Sequence, residues 1–160
     1  MTDVPVPASG RDLPPLAGGG GFAIEVRHVF DHPPVRTFRI FVDRINEWWD
    51  QRLHPEARTV LEAAPGGDFK QLWSSGGAFL ATVAQVDAPY RLRLVGPLAI
   101  ARPAHSVVEI TFEPTPDGQG TVLVLHHECI GAVSPDTGAT YERSWQDLIG
   151  RAFADRLRAG

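Results

Sequence analysis

The C-terminal segment constrains everything that precedes it. Between residues 136 and 158, Tyr141, Trp145, Leu148, Ile149, Ala152, Phe153 and Leu157 recur at three- and four-residue spacing, which stacks them on one side of a helix. The opposite side carries Arg143, Asp147, Arg151 and Arg158. This is the one long helical pattern in a chain that otherwise reads as strands. A single helix with one apolar side must bury that side, and a sheet is the only large apolar partner such a chain offers. A helix closing over a curved sheet leaves room for a cavity, which points toward binding a hydrophobic small molecule.

The strands are marked by alternation and by turn residues. Ile24, Val26, His28 and Phe30 alternate with Glu25, Arg27 and Val29, as a half-buried strand requires. Asp31 ahead of His32, Pro33 and Pro34 reads as a helix N-cap, with Val35, Phe38 and Phe41 on the apolar side. Asp43 reads as a second N-cap, followed by Ile45, Trp48 and Trp49 on the buried side of a shorter helix. Strand patterns then follow one another across turns at 65–68, 74–77, 87–89 and 114–120 with no helix between them. That succession favours antiparallel pairing. The predicted architecture is α+β, about seven antiparallel strands wrapped around the long C-terminal helix, with two short helices after the first strand. Residues 1–21, rich in proline and ending in four glycines, read as a disordered tail, and 22–160 as one domain.

A net charge of −4 gives no electrostatic case for nucleic acid or an anionic membrane surface, because both select a basic face. No apolar run reaches the roughly 18 residues of a membrane span, and the N-terminus lacks the basic-then-apolar start of a secretory signal. The lone cysteine, Cys129, cannot form an intramolecular disulfide, which fits a cytoplasmic protein. A homodimer is compatible with everything in the chain.

The order of landmark residues resembles the START-related helix-grip superfamily, also called SRPBCC. Within it the chain is most similar to the bacterial branch grouped with polyketide cyclases and activator-of-heat-shock-ATPase homologues. The segments that carry the likeness are 45–49, ending in Trp48 and Trp49, 64–69 at the first hairpin, 86–92, 94–98, 121–127, and the terminal helix with Trp145. Together they span 22–158. Two positions depart from the pattern: Tyr90 replaces a second hairpin proline, and Ala99 stands where a glycine often follows the Gly-Pro-Leu segment. The resemblance implies a pocket between sheet and helix but no single chemistry, since members carry lipids, sterols, hormones or polyketides and some cyclise or dehydrate them.

The expected cavity is lined by Trp48, Phe79, Leu94, Ile110, Leu125, His127, Tyr141, Trp145 and Leu148. His127 shares the register of Leu123 and Leu125. It reads either as a proton donor or acceptor for a ligand, or as a histidine tied to a neighbouring strand or to Tyr141. His127 and Tyr141 are thus the catalytic candidates of an alternative cyclase or dehydratase reading; a chaperone-interacting module is a third reading, carried by the resemblance alone. The run of residues 126–129, two histidines, a glutamate and a cysteine, offers zinc-ligand types, but strand alternation splits it two and two between the faces, so no metal is expected. No cofactor motif is present, because the glycines at 18–21 precede a strand and not a helix. Arg91, Arg93, Glu109 and Thr111 read as an outer face with cross-strand ion pairs. Residues 96–103 read as either a lid over the pocket mouth or a buried bend.

Overall fold

The computed structural model describes residues 20–160. The tail expected at 1–21 therefore lies outside the described residues up to residue 19, while Gly20 and Gly21 already belong to the first strand. Seven strands form one antiparallel sheet: β1 (Gly20–Phe30), β2 (Arg58–Leu61), β3 (Asp68–Trp73), β4 (Gly76–Asp87), β5 (Arg91–Gly96), β6 (Ala104–Pro114) and β7 (Thr121–Gly131). Their spatial order is β1-β7-β6-β5-β4-β3-β2. The strands from β2 to β7 thus run as an unbroken meander, and β1 closes onto β7 along its whole length, from Gly20 opposite Gly131 to Phe30 opposite Thr121.

Consecutive in sequence, β1 and β2 lie at opposite edges of the sheet. Two helices bridge that distance, α1 (Pro34–Asp43) and α2 (Ile45–Trp48). Neither N-cap is the expected aspartate. Pro33 caps α1 and Arg44 caps α2, both without a side-chain cap bond; consecutive prolines preset the first turn of α1 without one. Val35 is more than half exposed, and buried Thr37 takes its expected place beside Phe38 and Phe41. Thr37 and Thr121 both donate to the His32 carbonyl, at 3.1 and 2.6 Å, which ties the start of α1 to β7.

The terminal helix runs as α3 (Pro135–Asp147), a π-helical turn (Leu148–Phe153) and α4 (Ala154–Ala159). Ser134 caps it in a reciprocal box with Thr137, with Pro135 at the first helical position. The helix buries the predicted side: Trp145, Leu148, Ile149, Phe153 and Leu157 are each 3% exposed or less. Two glycines let it approach β1. A Cβ on Gly138 would sit 2.7 Å from the Phe22 Cβ, and one on Gly150 would sit 2.8 Å from the His28 imidazole. On its outer side Arg151 bridges Asp147 and Asp50, and Arg156 reaches Glu47, fastening the helix to the α2 region.

The sheet's inner face supplies the partner the helix requires. Leu92, Leu94, Val108, Ile110, Leu123 and Leu125 are buried to 3% exposure or less. Phe112 packs edge-on to Phe38 and Phe41, and Phe153 meets Phe30, Phe41 and Trp48. On the outer face Glu109 accepts from Arg93 at 2.6 and 3.0 Å and lies 3.5 Å from Arg91, the expected cross-strand cluster. No helix of the described residues is long and apolar enough to cross a membrane.

Candidate functional site

Among the described residues the inner face is buried along β5, β6 and β7 and opens toward the β3–β4 side. There a cavity of about 360 Å³ lies between the sheet and the stretch of the terminal helix from Thr140 to Leu148. Its buried floor is Trp49, Gln71, Leu80, Leu98, Trp145 and Leu148, with Tyr141 and Ser144 half-buried beside them. Its exposed rim is Gln51, Arg52, Leu53, Ala99 and Thr140.

Each wall has a local cause. Trp49 ends α2 in an extended conformation, so its indole leaves the helix and stands edge-on to Phe69 and Trp145 at 5.1 and 5.6 Å between ring centres. Its Nε1–H donates to the Gln51 carbonyl at 3.1 Å. The wholly buried Gln71 donates to that same carbonyl at 2.9 Å and to Thr59 Oγ1 at 3.2 Å, and its Oε1 accepts from the Leu53 amide at 2.9 Å. A single side chain from β3 thus clamps the strap 51–53 on both sides of Arg52. Burying an amide is costly unless its donors and acceptor are met, and here they are.

Leu80 reaches the cavity through a bulge. Phe69 lies opposite Ala81 and Lys70 opposite Phe79, so Leu80 is the extra residue in β4. Across the mouth, Leu98 and Ala99 both take positive φ, 48° and 66°. That region is costly for residues with a Cβ, and two hydrogen bonds hold the bend in place. The Leu98 amide donates to Leu80 O at 2.9 Å, and Tyr141 Oη donates to Leu98 O at 2.5 Å. Of the two expected readings the bend is the one seen at Leu98, which is buried, while Ala99 is exposed at the rim.

His127 lies beneath this cavity and does not line it. Trp145 Nε1–H donates to its Nδ1 at 3.1 Å. Because an indole nitrogen is donor only, Nδ1 must be the acceptor and Nε2 the protonated nitrogen, which then donates to Ser106 Oγ at 2.9 Å. Burial lowers the His127 pKa to about 4, since charging an imidazole in an apolar setting is unfavourable. The Tyr141 hydroxyl is pushed above its ordinary value by burial and, secondarily, by Cys129. The two rings meet edge to face at 5.3 Å, yet their polar atoms are committed to different partners.

Three of the expected lining residues, Tyr141, Trp145 and Leu148, line the cavity. Trp48 does not: its ring is 2% exposed, packed on Phe41 and Phe153, with Nε1 donating to Phe41 O. Leu94, Ile110, Leu125 and His127 are buried to 3% exposure or less in the core and do not line the cavity either. Phe79 is a correction, for it is 49% exposed on the outer face. Simple alternation from Val83 through Ala81 places it inward, and the extra residue Leu80 inverts the parity. Sequence reasoning missed Arg52, Gln71, Leu80 and Ser144. Gln71 left a trace, a polar residue in the inward register of Phe69. The bulge at Leu80 left none.

Among the described residues no three His, Cys, Asp or Glu side chains gather where they could hold a metal ion. His126 faces outward near Glu25 at 3.8 Å while His127 is buried, the split that alternation predicts.

No family model and no curated protein matches the chain. Solved structures share its fold. A protein from Rhizobium leguminosarum superposes with a TM-score of 0.68 at 16% identity, over 89% of this chain and 97% of that one. CalU16 from Micromonospora echinospora gives 0.61 at 20% identity, over 90% and 89%. Ara h 8.0201 gives 0.62 at 12% identity, over 88% and 100%. At these identities the likeness is one of fold, a seven-stranded sheet closed by a C-terminal helix.

Proposed function

We propose that this protein binds an apolar or amphipathic small molecule, lipid-like or polyketide-like, in the space between the β3–β4 side of the sheet and α3. The observation that carries the reading is the cavity itself. About 360 Å³ lies within the range of roughly 300–1,000 Å³ common to small-molecule sites. Its floor is apolar except for the internally bonded Gln71 and includes two indoles, and its rim carries a few polar groups. The helix-grip resemblance supports the same reading, because members of that superfamily use this space for lipids, sterols, hormones and polyketides. The cyclase or dehydratase alternative finds less support, since His127 is neutral with both nitrogens engaged and Tyr141 Oη is held by Leu98 O.

Ser144 offers a direct test. It lines the cavity, is half-buried and its hydroxyl makes no hydrogen bond among the described residues, so Ser144→Phe fills the space without breaking a side-chain hydrogen bond. Thermal-shift screening of fatty acids, fatty alcohols, sterols and aromatic polyketides should yield ligands that raise the melting temperature of the wild type and not of Ser144→Phe. A library that shifts neither protein, or both equally, contradicts the proposal.

A further inference from the structure

The rim of the cavity carries one formal charge. Among the described residues that line it there is no Asp, Glu, Lys or His, and Arg52 is the sole ionised side chain. This is notable in a chain whose net charge is −4, which by itself repels anions.

The guanidinium of Arg52 is held in place but not neutralised. Its Nη2 donates to Asn46 O at 3.1 Å, and its Nη1 to Asn46 Oδ1 at 3.4 Å and to Ala57 O. All three acceptors are uncharged. The acids nearest in sequence are engaged elsewhere: Glu47 with Arg44 and Arg156, Asp50 with Arg151, and Glu56 with the Ser74 hydroxyl at 2.7 Å. Arg52 forms no ion pair among the described residues. The backbone beneath it is fixed as well, by Gln71 and Trp49 on Gln51 O and by Gln71 on the Leu53 amide. A cation positioned this way has already met most of the ordering cost of binding, and its unused N–H groups suit a carboxylate or sulfonate oxygen.

We infer that the ligand is an amphipathic anion whose apolar body occupies the floor between Trp49 and Trp145 and whose acidic head group pairs with Arg52 at the rim. The inference rests on the proposed ligand cavity and adds to it a head-group charge and a specificity-determining residue. Ser144, on the helix side of the same opening, offers a hydroxyl with no partner of its own among the described residues.

Decanoate and 1-decanol share a tail and differ in head-group charge, so their affinities separate the two claims. Binding is read at pH 7.5 from tryptophan fluorescence and calorimetry. The wild type should bind decanoate about five- to tenfold more tightly than decanol, the span expected for a charged hydrogen bond partly open to solvent. Added salt should narrow the gap. Arg52→Gln should abolish the preference, weakening decanoate binding more than decanol binding. Ser144→Asp, which leaves the Arg52 anchorage untouched, should turn the preference toward decanol. Equal affinities in the wild type, or a decanoate preference that survives in Arg52→Gln, overturn the inference and leave the cavity reading standing. Failure of both probes to bind overturns both.

Discussion

Trp145 has a single side-chain donor, and the acceptor it meets at 3.1 Å, Nδ1 of a wholly buried His127, is available only while the imidazole is neutral. That dependence couples stability to pH with a definite sign. The folded-state pKa, about 4, lies below the ordinary 6.5. Between these values the unfolded chain takes up a proton that the folded chain refuses. The contribution is therefore complete above pH 6.5 and is lost as pH falls toward 4, to a total on the order of 3 kcal/mol. Replacing the ring by His127→Leu should flatten this slope between pH 6.5 and 5. It should also lower stability at pH 7.5 by about 1–3 kcal/mol, because the Trp145 N–H is left buried without an acceptor. Urea unfolding of both proteins at several pH values measures the difference. Parallel slopes would show that His127 takes up its proton while folded. The same geometry explains why a histidine that looks chemically active in the sequence serves here as a structural acceptor: periodicity locates its face, and only the partners reveal its tautomer.

The terminal helix meets β1 through Gly138 and Gly150, and these two glycines separate opposing effects. Alanine is favoured over glycine in a helix by about 1 kcal/mol. At Gly138 the new methyl would press on Phe22 Cβ, a backbone-anchored atom, at 2.7 Å. Overpacking of this kind costs about 1–3 kcal/mol and should outweigh the gain. At Gly150 the obstacle is the His28 imidazole, which can rotate. Gly138→Ala should thus destabilise the protein, and Gly150→Ala should be near neutral or stabilising, as denaturant midpoints will report. The reverse order would mean that the helix does not lie against β1 as described. The helix was legible in the sequence because its period persists over more than four turns, from Tyr141 to Leu157. The π turn at Leu148–Phe153 was not legible, because one added residue in a turn leaves the apolar run looking the same. The bulge in β4 escaped for a related reason. Val83, Ala81 and Phe79 alternate as an ideal strand does, and the inserted Leu80 is apolar too.

The whole molecule is a sheet whose inner face is closed by packing over β5 to β7 and left open over β3 and β4. The sequence shows most of the residues that face inward, Phe79 excepted, but not how far the helix fills the space, since that depends on where α2 ends and where the strap 51–53 is tied. Those ties run through Gln71, a residue that composition and period alone mark only as out of place. The four tryptophans report on this division. Trp49 and Trp145 line the cavity, whereas Trp73 stacks on His54 at 5.1 Å, away from it. The most direct measurement is a ¹⁵N–¹H correlation spectrum of the indole N–H groups during titration with decanoate. The Trp49 and Trp145 resonances should move together and saturate, while Trp73 stays in place. Indole resonances that never move, or that all drift in proportion without saturating, would contradict a binding cavity between the sheet and its terminal helix.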